Sequence, residues 1–270
     1  MEKEIAELLS KEKYNIYDLA MIVKVLRSEN GCPWDKIQTH QSIRNDFLEE
    51  VYEVIEAIDC NSSEMLKEEL GDVLLQVVFH AEIETEKGKF DLDEIANDIC
   101  KKLIIRHPHV FGDVTAENVD IVLKNWDSIK KETKGQESYT DTLKSVPKVF
   151  PALMRAQKLG KRASRAGMDF EGIDDCFNSL KSEVTEIEEA LIAGDNEAAA
   201  EELGDLLFSC ANMSRKLNMD AEELLDKANE KFLRRFEAVE NSVKQDGLDM
   251  ASLDLKTLDS YWEKEKSIEN

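Results

Sequence analysis

Proline is scarce in this chain, with four in 270 residues, at positions 33, 108, 147 and 151. Because proline removes an amide donor and clashes with the preceding turn, the long stretches without it are free to be helical. Alternation of β-branched residues with period two is weak throughout, which argues against a sheet-based core. Histidine is equally sparse, again four residues, so there is little room for imidazole chemistry. No Ser–His–Asp or Cys–His arrangement is evident. The five cysteines (Cys32, Cys60, Cys100, Cys176 and Cys210) are odd in number, scattered and without a CxxC pair. They read as reduced, small apolar helix residues of a cytoplasmic protein. No run is long and apolar enough to cross a membrane, and the start MEKEIAELLSKEKY lacks the apolar stretch of a secretory signal. Positive charge is also in deficit, with 35 Lys and Arg against 58 Asp and Glu and a net charge of −23. That balance argues against general affinity for nucleic acid or for an anionic membrane. An anionic substrate must therefore be met by metal ions or by a local basic patch.

What is abundant is helical periodicity. Phe47, Leu48, Val51, Ile55 and Ile58 recur at helical spacing, as do Leu70, Val73, Leu74, Val77 and Val78. Both sets read as core stripes. Ile95, Ile99, Leu103 and Ile104 mark a third helix, stopped at Arg106–His107–Pro108. Helices over roughly 174–192, 196–216 and 220–241 repeat the plan. The fold class is all-α, a tandem repeat of antiparallel helical-bundle domains. The expected division is 17–129, a polar linker over 130–149 that holds Gly135 and Pro147, and 150–265.

The repeat carries chemistry. Glu50, Glu53, Glu69 and Asp72 recur as Glu183, Glu186, Glu202 and Asp205, at identical internal spacing and 133 residues on. Each copy reads ExxE and then, sixteen residues later, ExxD within E-E-L-G-D-[VL]-L. Spacing three puts both members of a pair on one helix face, with Cβ atoms roughly 5–6 Å apart. Turns near Asn61 and Gly194 fold the helices back, setting Glu53 opposite Glu69 and Glu50 opposite Asp72. Likewise Glu186 faces Glu202 and Glu183 faces Asp205. Four converging carboxylates without a built-in basic partner suit hard divalent cations. In so acidic a chain one such pattern arises by chance at roughly one start in 500, but two with the same flanks do not. Gly71 and Gly204 stand mid-helix, where glycine costs up to about 1 kcal/mol relative to alanine. They are expected to admit a close backbone or a phosphate.

Other charges gather around this plan. Lys102 and Arg106, like Lys231 and Arg235, lie at i,i+4 on the third helix of each half and suit substrate phosphates. Asp226 and Asn229 lie on the same helix as the second pair and are expected to offer a further oxygen ligand. From Lys144 to Met168 there is no acidic residue, while Lys158, Lys161 and Arg162 contribute to a basic stretch. That stretch reads either as an anion-steering wall for the C-terminal site or as a docking face. Trp34 suits a core position or a nucleobase stack, and Trp126 and Trp262 occupy equivalent tails. His107 and His109 read as a helix stop with a favourable dipole contact.

The segments ENGCPWDKIQTH, LEEVYEVIEAI, EELGDVLLQVVFHA, RHPHVFGD, PALMRAQKLGKRA, EELGDLLF and ANEKFLRRF together resemble MazG, a two-domain nucleoside triphosphate pyrophosphohydrolase family. The resemblance runs from about Tyr17 to Trp262. It implies an all-α pyrophosphatase fold, a homodimer, and Mg²⁺-dependent cleavage of a nucleoside triphosphate to monophosphate and pyrophosphate, with Mn²⁺ able to substitute. It also implies that the two quartets are the metal ligands, with Glu183, Glu186, Glu202 and Asp205 catalytic. Lys231 and Arg235 would then contact phosphate, and Trp262 would be the family's C-terminal tryptophan. The rival from another class is a catalytically silent dimeric scaffold that binds nucleotide as a signal. A di-iron oxygen-handling bundle would want Glu-x-x-His on its helices, which is not found here.

Overall fold

A computed structural model of the chain describes residues 2–112 and 138–269, all helix, turn or loop. No strand occurs among the described residues, and none of their helices is long and apolar enough to span a membrane. Trp126 and the first part of the expected linker lie outside the described residues. The chain divides into two compact units, Met1–Lys130 and Lys131–Asn270.

Unit 1 runs α1 (Glu2–Leu9), α2 (Ile16–Arg27), α3 (Pro33–Lys36), α4 (Arg44–Asp59), α5 (Ser63–Glu86), α6 (Leu92–Arg106) and the single turn α7 (Pro108–Phe111). Asn15 starts α2 and Asp91 starts α6, each through a reciprocal capping box that satisfies the orphan amides of the first turn. α4 and α5 form an antiparallel hairpin, and α2 and α6 pack against α5. Val23, Ile43, Val78, Phe79 and Ile83 make the buried core, with Leu19, Leu75 and Leu92 against it.

A buried arginine ties three of these pieces together. Arg27 donates from Nε and Nη2 to the two oxygens of Glu86, both at 2.8 Å. Its Nη1 reaches the carbonyls of Asp35 at 2.8 Å and Gln38 at 3.1 Å, and its guanidinium lies over the Phe79 ring. Arg27→Ala is expected to cost about 2–3 kcal/mol, since charge-assisted hydrogen bonds are lost while Glu86 can still reach water. Arg27→Lys should recover little, because an ammonium cannot make the fork. Urea unfolding followed by far-UV circular dichroism measures this; an unchanged midpoint in both variants would remove the clasp from the account.

Unit 2 runs α8 (Tyr139–Lys144), α9 (Ala152–Arg165), α10 (Ile173–Ala193), α11 (Asn196–Lys216), α12 (Ala221–Gln245), a 3₁₀ turn at Met250–Ser252 and α13 (Leu255–Glu269). The segment read as linker thus holds a helix, α8, which packs on α9. α10 and α11 form the second hairpin, α9 packs on α11, and α13 packs on α12. A methyl group on Gly160 would meet Asn212 Oδ1 at 2.1 Å, so any side chain there would have to displace Asn212 where α9 crosses α11. Asp169 binds Arg215 at 2.5 Å and Lys216 at 3.0 Å. The Arg215 guanidinium leads in holding the Asp169 carboxyl down to about 2, Lys216 reinforcing it against the opposing effect of burial.

The duplication extends to local detail. Asn61 and Gly194, both at left-handed φ (51° and 72°), turn the two hairpins, and Ser62 and Asp195 cap the helices that follow. Ile43 and Cys176 fill equivalent buried positions, as do Ala57 and Ala190.

The stripes read as core are only partly buried: Val78 joins the core, but other members of the hairpin faces do not. Leu48 (51%), Ile55 (46%), Leu70 (50%), Leu203 (51%) and Leu207 (53%) are exposed in the single chain. Helical periodicity reports an apolar face and carries no information on what covers it.

Candidate functional site

Both hairpins bring their carboxylates together. In unit 1 one oxygen from each of Glu50, Glu69 and Asp72 lies within 4.8 Å of the others. In unit 2 the same holds for Glu183, Glu186 and Glu202. The fourth member joins each group electrostatically. Burial raises the Glu50 carboxyl above its ordinary range, and the charges of Asp72 and Glu53, a hydrogen bond to Glu53 and the charge of Glu69 push the same way. Burial also leads for Glu69, followed by the charges of Glu53, Glu68 and Asp72. For Glu202 the order is burial, Glu186, Asp205, Glu183 and Glu201. Clustered carboxylates that resist ionisation in one another's presence form a ready cation site, and an all-oxygen donor set fits Mg²⁺ or Mn²⁺.

Two serines missed by sequence reasoning steady the second quartet. Ser182 Oγ donates to Glu186 Oε1 at 2.8 Å, and the buried Ser209 places its Oγ 3.5 Å from Glu183 Oε1. Ser182 precedes Glu186 by one helical turn and Ser209 follows Asp205 by one, a spacing visible in the sequence. The equivalent positions in unit 1 are Glu49 and Gln76. The same helix α5 carries a further polar group: His40 Nδ1 and His80 Nδ1 are 2.7 Å apart, and His40 Nε2 is 2.6 Å from Glu84 Oε1.

The mid-helix glycines face open space among the described residues. There a Cβ on Gly71 or Gly204 would meet nothing within 4 Å, so none of the described backbone makes the close approach expected of them.

The basic residues separate into three places. Lys231 is exposed on α12 and Arg235 is half-buried one turn later. Trp262 of α13 lies 5.4 Å from the ring of Phe232, which stacks in turn with Phe236, so Trp262 sits at the turn that carries this pair. The charges acting most on Glu202 are all acidic, and Lys231 and Arg235 are not among them. Lys158 and Lys161 line a separate cleft, with Lys158 also over the Phe150 ring. Arg162 donates to the Thr142 carbonyl and, at 2.7 Å, to Ser145 Oγ, bracing α8 against α9. In unit 1 Arg106 is buried while Lys102 is exposed. His107 ends α6 with its Nδ1 2.7 Å from the Leu103 carbonyl, the helix stop expected of it. Trp34 is 59% exposed and so is no core residue.

Comparison with known proteins adds an independent line. Residues 38–111 and 173–239 match the MazG nucleotide pyrophosphohydrolase domain, one segment over each hairpin. The chain is 43% identical over 249 residues to the "Nucleoside triphosphate pyrophosphohydrolase/pyrophosphatase MazG" of Thermotoga maritima, covering 92% of this chain and 94% of that one. It is 44% identical over 251 residues to the "Nucleoside triphosphate pyrophosphohydrolase" of Escherichia coli K12, covering 92% and 95%. It also matches the uncharacterized YabN of Bacillus subtilis, at 41% identity over 92% of this chain and 51% of that protein. With both hairpins matched and identity sustained across nearly the whole length, this all-α chain belongs to the MazG family of nucleotide pyrophosphohydrolase domains.

Proposed function

We propose that this protein hydrolyses nucleoside triphosphates to nucleoside monophosphate and pyrophosphate, by attack of water at the α-phosphorus in a Mg²⁺-dependent reaction. The observation that carries this reading is the duplicated convergence of carboxylates on two matched hairpins. The names of the Thermotoga and Escherichia relatives support the same reaction. Glu183, Glu186, Glu202 and Asp205 hold the cation in unit 2, and Glu50, Glu53, Glu69 and Asp72 do so in unit 1. Bound Mg²⁺ supplies positive charge against the triphosphate and makes water more acidic. A metal ligand or a neighbouring carboxylate such as Glu49 or Glu201, the latter felt by Glu202, would accept the proton of the attacking water. Lys231 and Arg235 meet charge that develops on the departing pyrophosphate, and Trp262 packs on Phe232, the residue after Lys231. We place turnover in unit 2, where Ser182 and Ser209 orient two of the ligands.

The exposed apolar residues interleave with the ligands on the same hairpins: Leu48 and Val51 flank Glu50, and Leu203 follows Glu202. A monomer rarely leaves such a face uncovered, which supports assembly as a homodimer through the hairpins. The net charge of −23 disfavours nucleic acid as a partner.

Phosphorus NMR of the protein with Mg²⁺ and a panel of ribo- and deoxyribonucleoside triphosphates tests the reaction. Pyrophosphate with the matching monophosphate is the expected product pair. Orthophosphate with diphosphate would overturn attack at the α-phosphorus, and no product from any nucleotide would leave a binding scaffold.

A further inference from the structure

Outside the quartets, one cleft concentrates positive charge in a protein with 58 acidic residues against 35 basic ones. It lies in unit 2 between α9 and the α11–α12 turn, with a volume of about 530 Å³. Lys158, Lys161 and Arg165 line one wall, and Arg215 lines the other. Spacings of three and four put the three α9 cations on one helix face, so their convergence is a property of the sequence. The single acidic side chain in the lining, Asp220, is already engaged: it accepts from the amides of Glu222 and Glu223 at 3.0 and 3.2 Å.

The cleft is built on fixed parts. Gln157 donates to the Met219 carbonyl at 2.7 Å and accepts from the Ala221 amide at 3.1 Å, pinning the turn to α9. Arg215 is held by Asp169 at 2.5 Å and by Asn212 Oδ1 at 3.2 Å, so its guanidinium is set before any ligand arrives. Asp169 accepts from both Nη groups of Arg215 and offsets its charge, so Lys158, Lys161 and Arg165 carry most of the attraction for phosphoryl oxygens while Arg215 lends its remaining N–H donors. The volume falls in the range of small-molecule sites, roughly 300–1,000 Å³.

Its position separates it from the metal centre. Arg215 follows Asp205 by ten residues on the one helix α11, an axial distance of about 15 Å. A phosphate chain in the cleft is thus a different occupant from one held at Glu202 and Asp205. We infer that this cleft is a second, metal-independent site for a di- or triphosphate chain, formed by Lys158, Lys161, Arg165 and Arg215. Either free pyrophosphate or the phosphates of a nucleotide provide that chemistry. A ligand there would report phosphate levels to α11, the helix that carries Glu202 and Asp205.

Isothermal titration in EDTA tests this on the full chain, because without a divalent cation the quartets repel anions. Pyrophosphate is expected to bind at one site per chain with a sub-millimolar Kd. The exposed-residue variants Lys161→Glu and Arg165→Glu should each weaken it at least tenfold, while Glu186→Gln leaves it unchanged. Parallel titrations with ATP distinguish the sources: binding of ATP alone assigns the site to nucleotides, and binding of both assigns it to the shared chain. Absence of binding by either probe overturns the inference, as does binding that both charge reversals leave intact. Phosphorus NMR turnover in Mg²⁺ is read separately, so failure here does not bear on the proposed reaction.

Discussion

Glu186→Ala and Glu202→Ala are each expected to abolish Mg²⁺-dependent release of pyrophosphate, a loss of about 10³-fold or more, corresponding to roughly 4 kcal/mol of transition-state stabilisation. Both residues lie in the ligand cluster of unit 2. Alanine is the best helix former, so α10 and α11 should keep their helix content in circular dichroism. The matching changes at Glu53 and Glu69 test unit 1, and we expect much smaller losses there. A halving of turnover in each set would mean that both units work. Wild-type rates in both unit 2 variants would transfer the chemistry to the first hairpin.

The second large effect is stabilisation by the cation. Glu50, Glu69 and Glu202 all have carboxyls raised above the ordinary value by burial and by neighbouring acids. A carboxylate whose folded pKa is raised destabilises the fold when ionised, and that penalty fades as pH falls through the folded pKa. Acidifying the metal-free protein from neutrality should therefore relieve the quartets, the reverse of the usual salt-bridged carboxylate. Mg²⁺ at a hundred times its Kd should add about 2.7 kcal/mol at neutral pH. Protons compete for the same oxygens, so this gain should shrink as pH falls through the raised range of these carboxyls. Thermal melts in EDTA and in Mg²⁺ across pH measure both trends. A melting temperature indifferent to Mg²⁺ at pH 7.5 would remove the quartets from cation binding.

The sequence made the hairpins legible because their determinants are local. The carboxylate spacing, the turns at Asn61 and Gly194 and the caps at Ser62 and Asp195 all act within a few residues. Contacts between distant segments were not legible. Arg27 meets Glu86 across 59 residues, and His40 meets Glu84 across 44, with no pattern to announce either. Exposure of Leu48 and Leu203 escaped for a different reason: an apolar stripe looks the same whether its cover is its own chain or another. The placement of the basic residues was equally illegible, since a run of cations does not announce that Arg162 braces α8 while Lys158 and Lys161 line a cleft beside the C-terminal end of α11.

Each quartet spans only 23 residues, from Glu50 to Asp72 and from Glu183 to Asp205. Its ligands are therefore close along the chain as well as in space, which places their meeting among the low-contact-order events of folding. A two-helix hairpin closes its turn long before segments such as residues 27 and 86 find each other, because loop-closure entropy grows with separation. If the quartets take a cation as proposed, its binding would begin on a partly folded chain and guide each hairpin independently, so that the metal would organise each unit early as well as serve the finished site.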